Sequence, residues 1–84
     1  MKKGNIAIAC PDGMRIVPGY IDSVHQIGYA HPDGGRGWAA VDLRTGYHIG
    51  GGDTRKAAEA YALPRITAAR DSPAYQAIPD IRDK

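Results

Sequence analysis

The chain has no phenylalanine, a single cysteine and a single glutamate. It also lacks any apolar run long enough to span a membrane or serve as a secretory signal. Each shortage excludes something. Cys10 alone closes no internal disulfide, so packing and hydrogen bonds must hold the fold, and a reducing cytoplasm is the expected compartment. Five tyrosines and one tryptophan stand in place of phenylalanine, so nearly all the aromatic surface carries a polar group that wants water or a partner. Eight of the nine acids are aspartate, a residue of turns and caps, and Glu59 has no second glutamate for a paired-carboxylate mechanism. A net charge of +2 gives little long-range steering and has the wrong sign for a protein that imitates DNA.

What is present points to one small, turn-rich domain. Eighty-four residues build a single modest core, and eleven glycines with six prolines favour turns and strands over long helices. Alternation over Ile6–Cys10, the turn residues Pro11-Asp12-Gly13 and the run Met14–Val17 predict a first hairpin that Pro18-Gly19 ends. A strand over Ser23–His31 would place His25, Ile27, Tyr29 and His31 on one face. Trp38–Leu43 alternates, with Ala39, Val41 and Leu43 best matched to an inward face, and Arg44-Thr45-Gly46 turns the chain into Tyr47–Ile49. The segments Ala9–Arg15 and Ala30–Arg36 share five of seven residues, which reads as two hairpin turns using the same Pro and Gly chemistry. Alanine-rich Thr54–Leu63 predicts a helix that Pro64 stops or kinks, with Ala58, Tyr61 and Ala62 on one face. Ser72-Pro73 starts a short helical turn through Ile78, and the tail 79–84 is expected to fray.

The stretch Gly50-Gly51-Gly52-Asp53-Thr54-Arg55-Lys56 raises the question of a phosphate loop. It lacks both the G-x-x-x-x-G-K-[ST] order and the G-x-G-x-x-G spacing. Asp53 is expected to cap the helix, where its carboxylate would take the amides a phosphate needs. No cofactor site is expected. Nor is a metal site, since His25 and His31 would stand roughly 20 Å apart along a strand. Cys10 with a histidine lacks an ordered third group for nucleophilic catalysis, and is better read as a packed cysteine at a strand end. Trp38, beside Arg36 on a glycine-rich turn, suits an interface hot spot or the core. Arg55, Lys56, Arg65 and Arg70 make the helical region basic, which leaves direct nucleic-acid binding open.

Two resemblances narrow the class. Asp33-Gly34, Trp38, Asp42-Leu43, Gly46, Gly52-Asp53-Thr54 and Ala57–Ala60 resemble the strand-turn-strand-helix unit of HicB-like antitoxins. Trp38, Thr45-Gly46 and Thr54-Arg55-Lys56-Ala57 are similar to a pattern of small phage and prophage accessory proteins of the anti-CRISPR type. Arg55-Lys56 stands where the antitoxins usually carry acids, and the last twenty residues leave no room for their separate DNA-binding segment. The phage resemblance is therefore the closer of the two.

The expected architecture is α+β: a mainly antiparallel sheet of four or five strands packed by one alanine-rich helix, with a short C-terminal helical segment, over residues 1–78. The expected protein is not an enzyme. It binds and sterically blocks a bacterial defence complex, a CRISPR effector above all, with a toxin ribonuclease or bare nucleic acid as alternative partners. Arg36, Trp38, Arg44, Tyr47, Arg55 and Lys56 are the expected contacts, and a homodimer through an exposed edge strand stays open.

Overall fold

The computed structural model describes residues 2–31 and 37–81. Five strands, β1 (Lys2–Cys10), β2 (Gly13–Asp22), β3 (Ile27–Ala30), β4 (Trp38–Asp42) and β5 (His48–Gly52), precede helix α1 (Arg55–Arg70) and a short α2 (Pro73–Gln76). Each strand pairs antiparallel with its sequence neighbour, in the order β1-β2-β3-β4-β5. This is the expected α+β arrangement.

Period-two alternation in the hairpin decides how the sheet folds over. Register pairs Ile6 with Val17, whereas Ala7 pairs with Ile16 and Ala9 with Met14. Ile6 and Ile8 turn inward and bury against Ala30 and Val41, with Val17, Ile21, Cys10 and Leu43 around them. To reach there the sheet curls, and the Ala9 amide donates to the Gly46 carbonyl at 2.7 Å, tying β1 to the β4–β5 turn. Gly28 lets this happen, because a Cβ there would lie 2.8 Å from Ile6 Cδ1. The convex face holds the second cluster: Ile27, Tyr29 and Ala40 packed by Ala58, Ala62 and Ile66 of α1. All of β3 is buried, on both faces.

Several elements depart from the sequence expectation. The hairpin does not end at Pro18-Gly19; β2 runs to Asp22. Since β3 pairs only with Tyr20–Asp22, Pro18 has one paired neighbour, where a strand tolerates a missing amide. His25 is not on a strand face with Tyr29 but in the β2–β3 turn, which Gln26 closes at φ 57. There the Asp22 carboxylate accepts from the amides of Val24 (3.0 Å) and His25 (3.2 Å) and meets His25 Nδ1 at 2.7 Å.

The three glycines are strand rather than turn, with α1 lying directly on Gly50 and Gly52 and the Trp38 backbone against Gly51. A Cβ on Gly50 would collide with the Tyr61 ring, and one on Gly52 would lie 2.8 Å from the Ala57 Cβ. The helix cap is Thr54, not Asp53: the Thr54 hydroxyl accepts from the Ala57 amide at 3.0 Å. Extending β5 through Gly52 leaves Asp53 outside the helix, one residue too early to cap it. Pro64 does not stop α1, which continues to Arg70. Pro64 and Ala60 are both exposed, so the Ala60 carbonyl that proline leaves without a donor is open to water. The packed unit also passes residue 78: the Ile81 amide donates to the Arg44 carbonyl at 2.8 Å. The second Pro-Asp-Gly turn, with Arg36, lies outside the described residues.

Candidate interaction surface

Two depressions invite a functional reading. The smaller, about 300 Å³, opens beside Asp42, Thr45, Tyr47 and Tyr75. Asp42 is buried at the end of β4, and its carboxylate accepts from Tyr75 Oη (2.6 Å), Thr45 Oγ1 (2.9 Å), Arg70 Nη2 (3.2 Å) and the Arg44 amide (3.3 Å). Burial pushes this carboxyl up, but those hydrogen bonds outweigh it and hold it below the usual aspartate value. Burial, and after it the hydrogen bond to Asp42, raises the Tyr75 hydroxyl. A carboxylate offers about four acceptor sites, so four donors leave Asp42 none for a substrate proton. Arg70 also donates to the carbonyls of His25 (2.6 Å) and Gln26 (3.1 Å). Arg44 donates to the Ile78 carbonyl at 2.6 Å and stacks on the Tyr75 ring at 4.6 Å. This constellation clamps the β2–β3 turn, β4, α1 and α2 together.

The larger depression has a different character. On the convex face α1 covers β3, β4 and β5 but not the hairpin: Lys3, Asn5, Ala7 and Ala9 on β1 alternate outward with Met14, Ile16, Pro18 and Tyr20 on β2, and the end of Met14 is covered by the β4–β5 turn at Gly46. Ile16 is 64% and Met14 49% exposed. Where this strip meets the start of β4, a groove of about 580 Å³ opens, lined by Lys3, Asn5, Pro18, Tyr20, His31 and Trp38 among others. Trp38 is half-buried; it packs against the helix-side core and also meets the rings of His31 at 4.0 Å and Tyr20 at 5.9 Å. The Arg55 guanidinium sits over the Tyr20 ring at 5.2 Å. His31 Nδ1 lies 2.7 Å from the Gly37 carbonyl, which as an acceptor requires Nδ1–H and leaves Nε2 as the acceptor of a neutral ring.

The structure therefore divides the expected contacts. Trp38 and Arg55 come together at one end of β4, with exposed Lys56 beside Arg55 in the first turn of α1. Arg44 and exposed Tyr47 lie beyond the other end of β4, which is roughly 13 Å away along the strand. Arg44 is engaged inside the molecule. Sequence reasoning missed Lys3, Asn5, Tyr20 and His31. Their signal was the even-residue apolar series 14, 16, 18 and 20, hidden by reading Pro18 as the strand's end.

The chain matches no family model, no curated protein and no solved structure. Among the described residues, no helix is long and apolar enough to cross a membrane.

Proposed function

We propose that this protein works without turnover, as a phage-type inhibitor that occupies a bacterial defence ribonucleoprotein in the host cytoplasm and blocks it sterically. The bare half of the convex sheet face carries this reading. An apolar strip from Met14 through Ile16, Pro18 and Tyr20 to Trp38, bordered by Lys3 and Arg55, is the kind of contiguous exposed surface that marks an interaction site. Its composition, with tyrosine, tryptophan, methionine and arginine together, matches interface cores. The resemblance to anti-CRISPR-type accessory proteins supplies the class of partner. The β4-β5-α1 succession is the strand-turn-strand-helix unit that both resemblances imply, so it supports the antitoxin reading equally.

The deciding experiment expresses the chain in a CRISPR-immune host challenged with a targeted phage. Plating is expected to rise by orders of magnitude, and Ile16→Asp, a change at an exposed position, is expected to abolish the rise without altering the circular dichroism spectrum. Rescue of cells from a small toxin ribonuclease, with no change in plating, would transfer the function to the antitoxin reading. Failure of both assays would remove both.

A further inference from the structure

The groove at the edge of the bare face has a chemistry more specific than an apolar contact. Three aromatic rings, Tyr20, His31 and Trp38, meet there, and two cations border it, Lys3 in its lining and Arg55 over Tyr20. Among the described residues, no carboxylate lines it. Aromatic faces flanked by cations match a planar base joined to a phosphate. The polar groups available are also mixed: the Asn5 amide, the Trp38 indole N–H and the Tyr20 hydroxyl can donate, and the His31 ring nitrogen Nε2 is a further hydrogen-bonding group. A groove of about 580 Å³ has the size of a small-ligand site. Ring-on-ring contact of this kind needs an unstacked base, because in a duplex the base faces are covered by their neighbours.

We infer that this groove binds single-stranded nucleic acid, seating an unstacked base among Trp38, His31 and Tyr20 with the adjoining phosphates on Lys3 and Arg55. The assignment rests on reading the bare convex face as the contact surface, and it names the part of a ribonucleoprotein that the face grips: an exposed single strand. A second class of anionic partner, an acidic peptide, would use the cations but not the ring cluster.

Trp38 is the only tryptophan, so its emission reports on the groove directly. The purified chain is titrated with a ten-nucleotide oligouridylate. Saturable quenching is expected, and two phosphate contacts predict that affinity falls about sevenfold between 50 and 200 mM salt. Arg55→Gln, at an exposed helix-start position, should weaken binding and reduce that fall to about threefold, with an unchanged melting curve. The inference is overturned by absence of quenching, by equal affinity for a blunt duplex or for uridine monophosphate, by salt-independent binding, or by stronger quenching with an oligoglutamate peptide. Phage protection that survives any of these results would leave the inhibitor reading standing and remove only the nucleic-acid contact.

Discussion

Tyr29 holds the one buried side-chain oxygen, among the described residues, that lacks a hydrogen-bond partner. Its ring is fully buried under α1. Burial first, then the charges of Glu59 and Asp22, push its hydroxyl up to about 12 against the opposing pull of Arg55. An unpaired buried hydroxyl destabilises the fold by about 1–3 kcal/mol, whereas the ring it rides on is well packed. Tyr29→Phe removes only the oxygen, and the folded state is expected to gain about 1 kcal/mol. Urea unfolding would show a higher midpoint with the same slope; a lower midpoint would mean that the hydroxyl has a partner after all. Thr54 shows the same selectivity at a cap. Both Asp53 and Thr54 have the right chemistry, and one residue of extra strand pairing decides which stands at the helix start. That pairing is long-range, so no local pattern could have placed the cap.

At the level of elements, α1 tests how much a helix tolerates from proline. Its buried positions Ala58, Ala62 and Ile66 recur at four-residue steps, and Pro64 falls on the opposite side, where the ring is solvated and the Thr67 hydroxyl bonds back to the Leu63 carbonyl at 2.8 Å. Pro64→Ala should therefore restore a solvent-side backbone hydrogen bond without disturbing the core, and is expected to raise thermal stability by about 1 kcal/mol or more. An unchanged or lower melting temperature would indicate that the surrounding helix has no donor to offer the Ala60 carbonyl. The core stripe was legible in part: Ala58 and Ala62 were placed on it from spacing alone, but truncating the helix at Pro64 hid Ile66. The strands were legible where alternation was strong, over Ile6–Cys10 and Trp38–Asp42. They were not legible over Gly50–Gly52, a glycine strand whose first and third residues lie under the Tyr61 ring and the Ala57 methyl. Local propensity says turn at such positions; the approach of a helix overrides it. The candidate surface was half legible for the same reason, since Trp38 and Arg55 announce themselves by type while Tyr20 and Lys3 join them only through β1–β2 register.

Across the whole molecule, one carboxylate links segments far apart in sequence. Asp42 receives hydrogen bonds from Thr45, Arg70 and Tyr75, and Arg70 in turn fixes the β2–β3 turn. Closing such loops fixes many residues, and a domain of this size has only a few kcal/mol of net stability with which to oppose chain entropy. The consequence is a defined response to acid. Asp42 titrates below its usual value in the folded chain, whereas the unfolded chain titrates near 3.9. The unfolded state therefore binds its proton first as pH falls. The contribution of Asp42 is complete above the unfolded value, declines as pH drops toward the folded one and vanishes below it. Asp22 acts in the same direction, because burial is outweighed by its hydrogen bonds to His25 and Val24. Urea stability is accordingly expected to be flat between about pH 5 and 7 and to fall steadily below about pH 4. Tyr75→Phe separates the two carboxylates. It deletes the donor 2.6 Å from Asp42 while leaving the Asp22 turn intact, so the Asp42 carboxyl moves back toward its ordinary value. Stability at neutral pH should drop by about 1.5–3 kcal/mol, the range for a hydrogen bond to a charged group, and the acid decline should become shallower. Parallel curves for the two proteins, offset but equally steep, would mean that Tyr75 supports the fold by packing alone and that Asp42 does not hold the clamp through its charge.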